Sequence, residues 1–168
     1  MVYGPGSFAL LKYAFCNYMG LESDIQQTSF RNNYQKGIIN LIYTYNWLRE
    51  KMKVVFDRED ITEQQFNILR ILRGAGKPIS TLQIRQRMLD KMSDTSRIVD
   101  RLVIKSLVKK TICPADKRLV DVSITQKGKK VLTSLDFYEA EMDTLLMKLS
   151  EDEIRSLNSL LDKIRHDG

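Results

Sequence analysis

Apolar residues recur at steps of three and four across residues 31–56, as Ile38, Leu41, Ile42, Tyr45, Leu48, Met52 and Val55. That spacing predicts one long amphipathic helix. Asp57-Arg58-Glu59-Asp60 is a polar break after it. Thr62-Glu63-Gln64-Gln65 then reads as a capping box, in which the Thr hydroxyl accepts an orphan amide and Gln65 reaches back. It opens a helix carrying Phe66, Leu69 and Leu72, closed by Gly74-Ala75-Gly76. A second box, Ser80-Thr81-Leu82-Gln83, opens a short helix with Leu82, Ile84 and Met88 on its apolar side. A third helix is predicted from Ser93 over residues 93–109, with Thr95, Ile98, Val99 and Leu102 on one stripe.

The period then changes. Leu119, Val120, Val122 and Ile124 with intervening Asp121 and Ser123 predict a short strand. Thr111-Ile112-Cys113 is its expected partner across Pro114-Ala115-Asp116-Lys117-Arg118, a hairpin with a basic tip. Thr125 caps a further long helix whose apolar positions run from Val131 to Leu149. Ser150-Glu151-Asp152-Glu153 starts the last one, with Ile154, Leu157, Leu160, Leu161 and Ile164. Residues 1–29 are poorly patterned; residues 8–18 have helical spacing, and Met19 is an alternative start of the chain. The pattern gives a mainly α fold with a small β-hairpin wing, in three segments, 1–60, 61–125 and 126–168, of one intertwined domain.

Charge sharpens this picture. The net charge is +6, yet residues 77–130 hold fourteen Lys/Arg against five Asp/Glu, and the rest of the chain is slightly acidic. Such a strip suits a surface that meets phosphates. Cys16 and Cys113 lie far apart and match no metal or redox spacing, which suits reduced thiols in a cytoplasmic protein. The one histidine, His166, has no partner for metal binding or catalysis, so neither an enzyme nor a cofactor is expected. No apolar run is long enough for a membrane span.

Two helices joined by a short turn and followed at once by a basic hairpin form a DNA-reading unit, the second helix offering its N-terminal residues to base edges. On the helix starting at Ser93, the side opposite the apolar stripe carries Ser93, Ser96, Arg97, Asp100 and Arg101. Arg97 and Arg101 project together one turn apart. A guanidinium can bond guanine in paired fashion, which puts Arg97 first for direct readout; the alternative is a solvated face with Asp94 or Asp100 as ion partner. Asp94 can accept from a cytosine amine or simply favour the helix N-terminus. Lys117 and Arg118 at the hairpin tip, braced by Asp116, suit a minor groove. The helix start at Ser80 and Thr81 suits a phosphate. Tyr34, Tyr43, Tyr45 and Trp47 could line an aromatic ligand pocket or belong to core and interface.

Ser93-Asp94-Thr95-Ser96-Arg97-Ile98-Val99-Asp100-Arg101-Leu102, with Lys105-Ser106-Leu107-Val108 after it, resembles the recognition helix of the MarR (multiple antibiotic resistance regulator) family. Asp116-Lys117-Arg118, Val122, Ile124-Thr125 and Lys127-Gly128 resemble that family's wing. The specific signals cover residues 62–128. The resemblance implies a homodimeric winged helix-turn-helix regulator, with terminal helices interleaved and two lobes meeting double-stranded DNA at a pseudo-palindromic site. It also implies a small-molecule effector. Two positions depart from the family pattern: Ser106 replaces a glycine at the helix exit, and Lys110 stands where Arg is common. A left-handed residue at Ser106 would be mildly strained or absent. Some relatives sense peroxides through a cysteine in the first long helix, which contains none here. The other reading from the residues is a winged-helix module that docks an acidic protein partner.

Overall fold

The computed structural model describes residues 20–112 and 120–166. The helix expected over residues 8–18, both cysteines, and the hairpin tip with Asp116, Lys117 and Arg118 lie outside them. The chain divides into two compact units, residues 1–48 and 49–168.

The first unit holds α1 (Leu21–Asp24) and the greater part of α2 (Asn33–Asp57). Asn32 Oδ1 accepts the Gln35 amide at 2.9 Å, while Gln35 Oε1 accepts the Arg31 amide, so the entry to α2 is satisfied from both sides. Lys36 pairs with Glu22 and lies 5.9 Å from the centre of the Phe30 ring. Tyr34, Ile38, Leu41, Ile42 and Tyr45 stay exposed along the helix.

The second unit runs from the end of α2 through α3 (Glu63–Ala75), β1 (Ile79–Ser80), α4 (Thr81–Arg87), α5 (Thr95–Ile104), β2 (Val108–Ile112), β3 (Val120–Ile124), α6 (Gln126–Asp136), α7 (Glu139–Asp143) and α8 (Glu151–Arg165). The three predicted capping boxes are all formed, at Thr62/Gln65, Ser80/Gln83 and Ser150/Glu153. Each such cap is worth about 0.5–2 kcal/mol. Gly76 closes α3 in the left-handed conformation, as its missing Cβ allows.

The sheet is antiparallel in the order β1-β3-β2. The hairpin is longer than the sequence indicates, since β2 begins at Val108 and pairs from Val108↔Ile124 to Ile112↔Val120. The strand β1, which pairs Ile79 with Val122, is too short to leave a period in the sequence. The core lies between sheet and helices: Ile68, Leu69 and Leu72 from α3, Ile84 from α4, Val99 and Leu102 from α5, Val122 from β3, and Leu132 and Leu135 from α6. Burying each such side chain contributes about 1.5–3 kcal/mol. Phe56 stacks on Phe66 with ring centres 4.9 Å apart, fixing the end of α2 to α3.

Two helices end earlier than the sequence pattern indicates. The helix that begins after Thr125 stops at Asp136, because Tyr138 turns back to bond Leu135 O (2.9 Å) and lays its ring 4.3 Å from the Arg58 guanidinium. The third helix ends at Ile104, well before residue 109. There Ser106 is left-handed (φ 61°), and its N–H bonds Val103 O (2.8 Å) while the Leu107 N–H bonds Leu102 O (2.9 Å). This is a Schellman stop, built on a serine where glycine would be unstrained. The strained residue that the sequence leaves open is therefore present.

Candidate nucleic-acid interface

α4 and α5 are the two helices of the helix-turn-helix, and β2 and β3 form the wing beside them. α5 begins at Thr95, and its N-cap is Asp94, in place of the Ser93 that the sequence pattern favours. The Asp94 carboxylate accepts the Arg97 amide at 3.1 Å. The Ser93 hydroxyl instead donates to Asp90 O at 2.8 Å, closing the turn before the helix. An aspartate at this position outcompetes a serine because its charge also complements the positive helix end. One Asp94 oxygen is thus occupied by the protein's own backbone.

Thr95, Val99 and Leu102 are buried, so α5 shows its other side to solvent. Ser96, Arg97, Asp100 and Arg101 lie on that side and all are exposed. Asp100 is held by Lys110 of β2. With Asp94 capping and Asp100 paired, Arg97 and Arg101 have no carboxylate partner among the described residues. Two adjacent guanidinium groups left uncompensated raise the local potential and suit a polyanion.

The other end of α5 is fixed by a chain of polar contacts. Lys105 reaches back to Asp60, bonding its carbonyl and its carboxylate (2.8 Å to Oδ2). That contact holds the Asp60 carboxyl below its usual range. Lys127 donates to Lys105 O (3.0 Å), and the Thr125 hydroxyl lies within hydrogen-bonding distance of Ser106 O (2.8 Å) and Leu107 O (3.0 Å). The same hydroxyl accepts the Gly128 amide, so a single residue caps α6 and ties it to the exit of α5.

At the start of α4 the Ser80 hydroxyl accepts the Gln83 amide, and its own N–H bonds Gln83 Oε1. Ser80 is therefore engaged in its cap, and Thr81 beside it is half-buried. Arg85 and Lys109 are exposed cations without a carboxylate partner among the described residues, and the sequence motifs do not single them out. Only their place within the basic stretch marks them.

The four aromatic residues of α2 do not converge. At 3.6 residues per turn, Tyr34 and Tyr45 share one side and Tyr43 and Trp47 the nearly opposite one. All four are exposed, Tyr34 to 85%. They do not form one pocket within a protomer. A cavity of about 490 Å³ lies instead in the second unit, lined by residues of the α2–α3 turn and by Arg101, Ile104 and Lys105. No group of His, Cys, Asp or Glu able to hold a metal occurs among the described residues. Among them, no helix is long and apolar enough to cross a membrane.

A sequence model of the MarR family matches residues 61–120. The multiple antibiotic resistance protein MarR of Escherichia coli is 31% identical over 111 residues, covering 62% of this chain and 74% of that protein. The crystal structure of a mutant of Escherichia coli MarR with operator DNA superposes with a TM-score of 0.70 at 27% identity, covering 81% of this chain and 99% of that one. A structure of BpsR from Bordetella bronchiseptica, whose DNA binding is regulated by 6-hydroxynicotinic acid, shares the fold at TM-score 0.73 and 20% identity, covering 83% of this chain and 99% of that one. A second relative, the regulator YwaE of Bacillus subtilis, is 31% identical, with 74% of each chain covered. With its helix pair, three-stranded sheet and wing in family order, the chain belongs to the MarR family of winged-helix transcriptional regulators, which are DNA-binding proteins and not enzymes.

Proposed function

We propose that the protein is a sequence-specific repressor that binds a pseudo-palindromic operator as a homodimer and is released by a small effector. The observation that carries this reading is the pair Arg97 and Arg101, exposed one turn apart on the second helix of the pair, with Asp94 and Asp100 both engaged elsewhere. Arg97 bonds a guanine edge, and Arg101, Ser93 and Ser96 follow the same groove. Asp94 holds the helix end that presents them. Thr81 and Ser80 sit at a helix start whose free amides suit a phosphate. Lys117 and Arg118, with Asp116, supply the wing contact to the minor groove. Escherichia coli MarR was crystallised with operator DNA, which supports the duplex as partner.

The dimer reading rests on two uncovered apolar surfaces. Tyr34, Ile38, Leu41 and Tyr45 form an exposed stripe on α2, and α8 buries none of its residues while showing Leu160 and Ile164 to solvent. On this reading residues 1–60 and 126–168 supply the dimerisation helices and residues 61–125 the DNA-binding lobe. Tyr43 and Trp47 then belong to helix packing between protomers. A small effector is in keeping with BpsR, a neighbour in fold whose DNA binding is regulated by 6-hydroxynicotinic acid. A repressor acting on the chromosome works in the cytoplasm.

Selection of bound duplexes from a random pool tests the reading. A palindromic consensus retained at ~150 mM salt supports it, as does a steep fall of affinity with salt. Binding without preference over random DNA overturns it, and co-purification with one acidic protein in the absence of duplex binding would favour the assembly-module alternative.

A further inference from the structure

Among the described residues no large apolar side chain is more exposed than Met92, at 93%. It sits in the turn between α4 and α5, two residues before the Asp94 N-cap. That turn is closed by its own polar groups. Asp90 Oδ1 accepts the Met92 amide at 3.0 Å, Lys91 Nζ donates to Gln86 O, and the Ser93 hydroxyl donates to Asp90 O at 2.8 Å. The backbone that carries Met92 is thus fixed on both sides. Asp90, Lys91 and Ser93 each spend a side-chain group on the chain's own backbone, and Met92 is the one side chain of the four that the turn does not engage. An apolar group held in water on a fixed backbone gains free energy only by meeting another apolar surface. The stripes read as meeting a second copy lie on α2 and α8, and Met92 is on neither.

We propose that Met92 is a specificity-determining residue that packs on the C5-methyl group of a thymine close to the base pair met by Arg97. The proposal rests on the reading that α5 enters the major groove with its N-terminal residues at the base edges. On that reading the turn leading into α5 lies at the same stretch of groove. The edges of the bases there offer hydrogen-bond donors and acceptors, and the thymine methyl is the apolar group among them. A thioether side chain is unbranched and polarizable, so it fits against a methyl without a fixed direction. The two residues divide the task. Arg97 reads by paired hydrogen bonds, whereas Met92 reads by excluding water from a methyl, and a cytosine in that place sets it against an amine instead.

The probe is the duplex recovered by selection from a random pool, with thymine replaced by deoxyuridine at one position at a time, symmetrically in both half-sites. Uracil keeps every hydrogen-bonding group of thymine and lacks only the methyl. The expected result is a thymine whose replacement weakens binding by the full-length protein about two- to fourfold per half-site, as for one buried methyl. Met92→Ala should lose about the same factor on the thymine duplex and be indifferent to uracil at that position. The cycle of protein and duplex substitutions then shows side chain and methyl to be coupled. Met92→Gln, of similar length but polar, should lose the uracil effect as well. Because the side chain is almost wholly exposed, neither substitution should move the urea midpoint. A consensus with no uracil-sensitive thymine, a methyl effect undiminished in Met92→Ala, or an equal loss by that variant on both duplexes would overturn the proposal and leave the DNA-binding reading standing. A pool that yields no consensus at all would overturn that reading and the proposal with it.

Discussion

The Leu107 carbonyl oxygen and Gly128 are so close that a Cβ added to the glycine would stand 2.3 Å from that oxygen. The contact is with backbone at the exit of the recognition helix, where no side chain can swing away. Gly128→Ala must therefore move either α6 or the start of the wing. The expected cost is about 1–3 kcal/mol of stability, as for overpacking elsewhere in folded cores. Urea unfolding of the two proteins at equal concentration measures it, and an unchanged midpoint would contradict the contact.

Ser106 presents the opposite case. It holds a left-handed conformation that costs a residue with a Cβ about 1–2 kcal/mol, partly offset by the greater freedom glycine has when unfolded. Ser106→Gly is expected to raise stability by up to about 1 kcal/mol. Ser106→Val, with a branched Cβ, should lower it. The same denaturation assay reads both, and a glycine variant less stable than the serine protein would show that the serine side chain has a further task.

Asp94 can be assigned by substitution, because its capping and reading roles separate. Asparagine preserves an N-cap acceptor while changing what the group offers a base. Asp94→Asn is expected to keep both stability and the selected operator sequence. Asp94→Ala should cost about 0.5–2 kcal/mol. A change of preferred base in the asparagine variant, at unchanged stability, would make Asp94 a reading residue.

The pH dependence of stability follows from Asp60. Its carboxyl is held below the usual 3.8, first by the hydrogen bond from Lys105 and then by that residue's charge. A carboxyl depressed in the folded state stabilises fully above its unfolded value, and that contribution disappears as the pH falls through the lower folded value. Lys105→Met should therefore be less stable than the parent at neutral pH, with the gap closing below about pH 3.8. A gap independent of pH across that range would exclude the ion pair as its source.

Thr95 is 97% buried, and its hydroxyl has no hydrogen-bond partner among the described residues. A buried, unsatisfied hydroxyl costs about 1–3 kcal/mol. Thr95→Val keeps the shape and removes the polar atom, so an increase in stability is expected, with DNA affinity per folded protein unchanged. A loss of stability would indicate that the hydroxyl is satisfied in solution.

The parts of this protein that could be read directly from the sequence are those fixed locally. Thr62 with Gln65, Ser80 with Gln83 and Ser150 with Glu153 each specify a helix start within four residues, and all three caps form. The apolar stripe of α5 follows from periodicity alone. What could not be read depends on partners distant in the chain. Asp100 stops being a candidate partner for Arg97 only because the hairpin brings Lys110 against it. The break after Asp136 has neither proline nor glycine to mark it and depends on Arg58 lying over Tyr138. Helical geometry does separate Tyr43 and Trp47 from Tyr34 and Tyr45, but what covers each pair is decided by assembly. Competition between two good caps, Ser93 and Asp94, was settled by the turn at Asp90, which claims the serine.

In the proposed homodimer the bare apolar stripes on α2 and α8 have a thermodynamic corollary. Part of the hydrophobic driving force that folds each chain is then released only on meeting a second copy, so folding and association become one concentration-dependent equilibrium. Scarcity of the protein would penalise the folded state itself as well as operator occupancy, and a newly made chain would gain its full resistance to unfolding only once enough copies had accumulated.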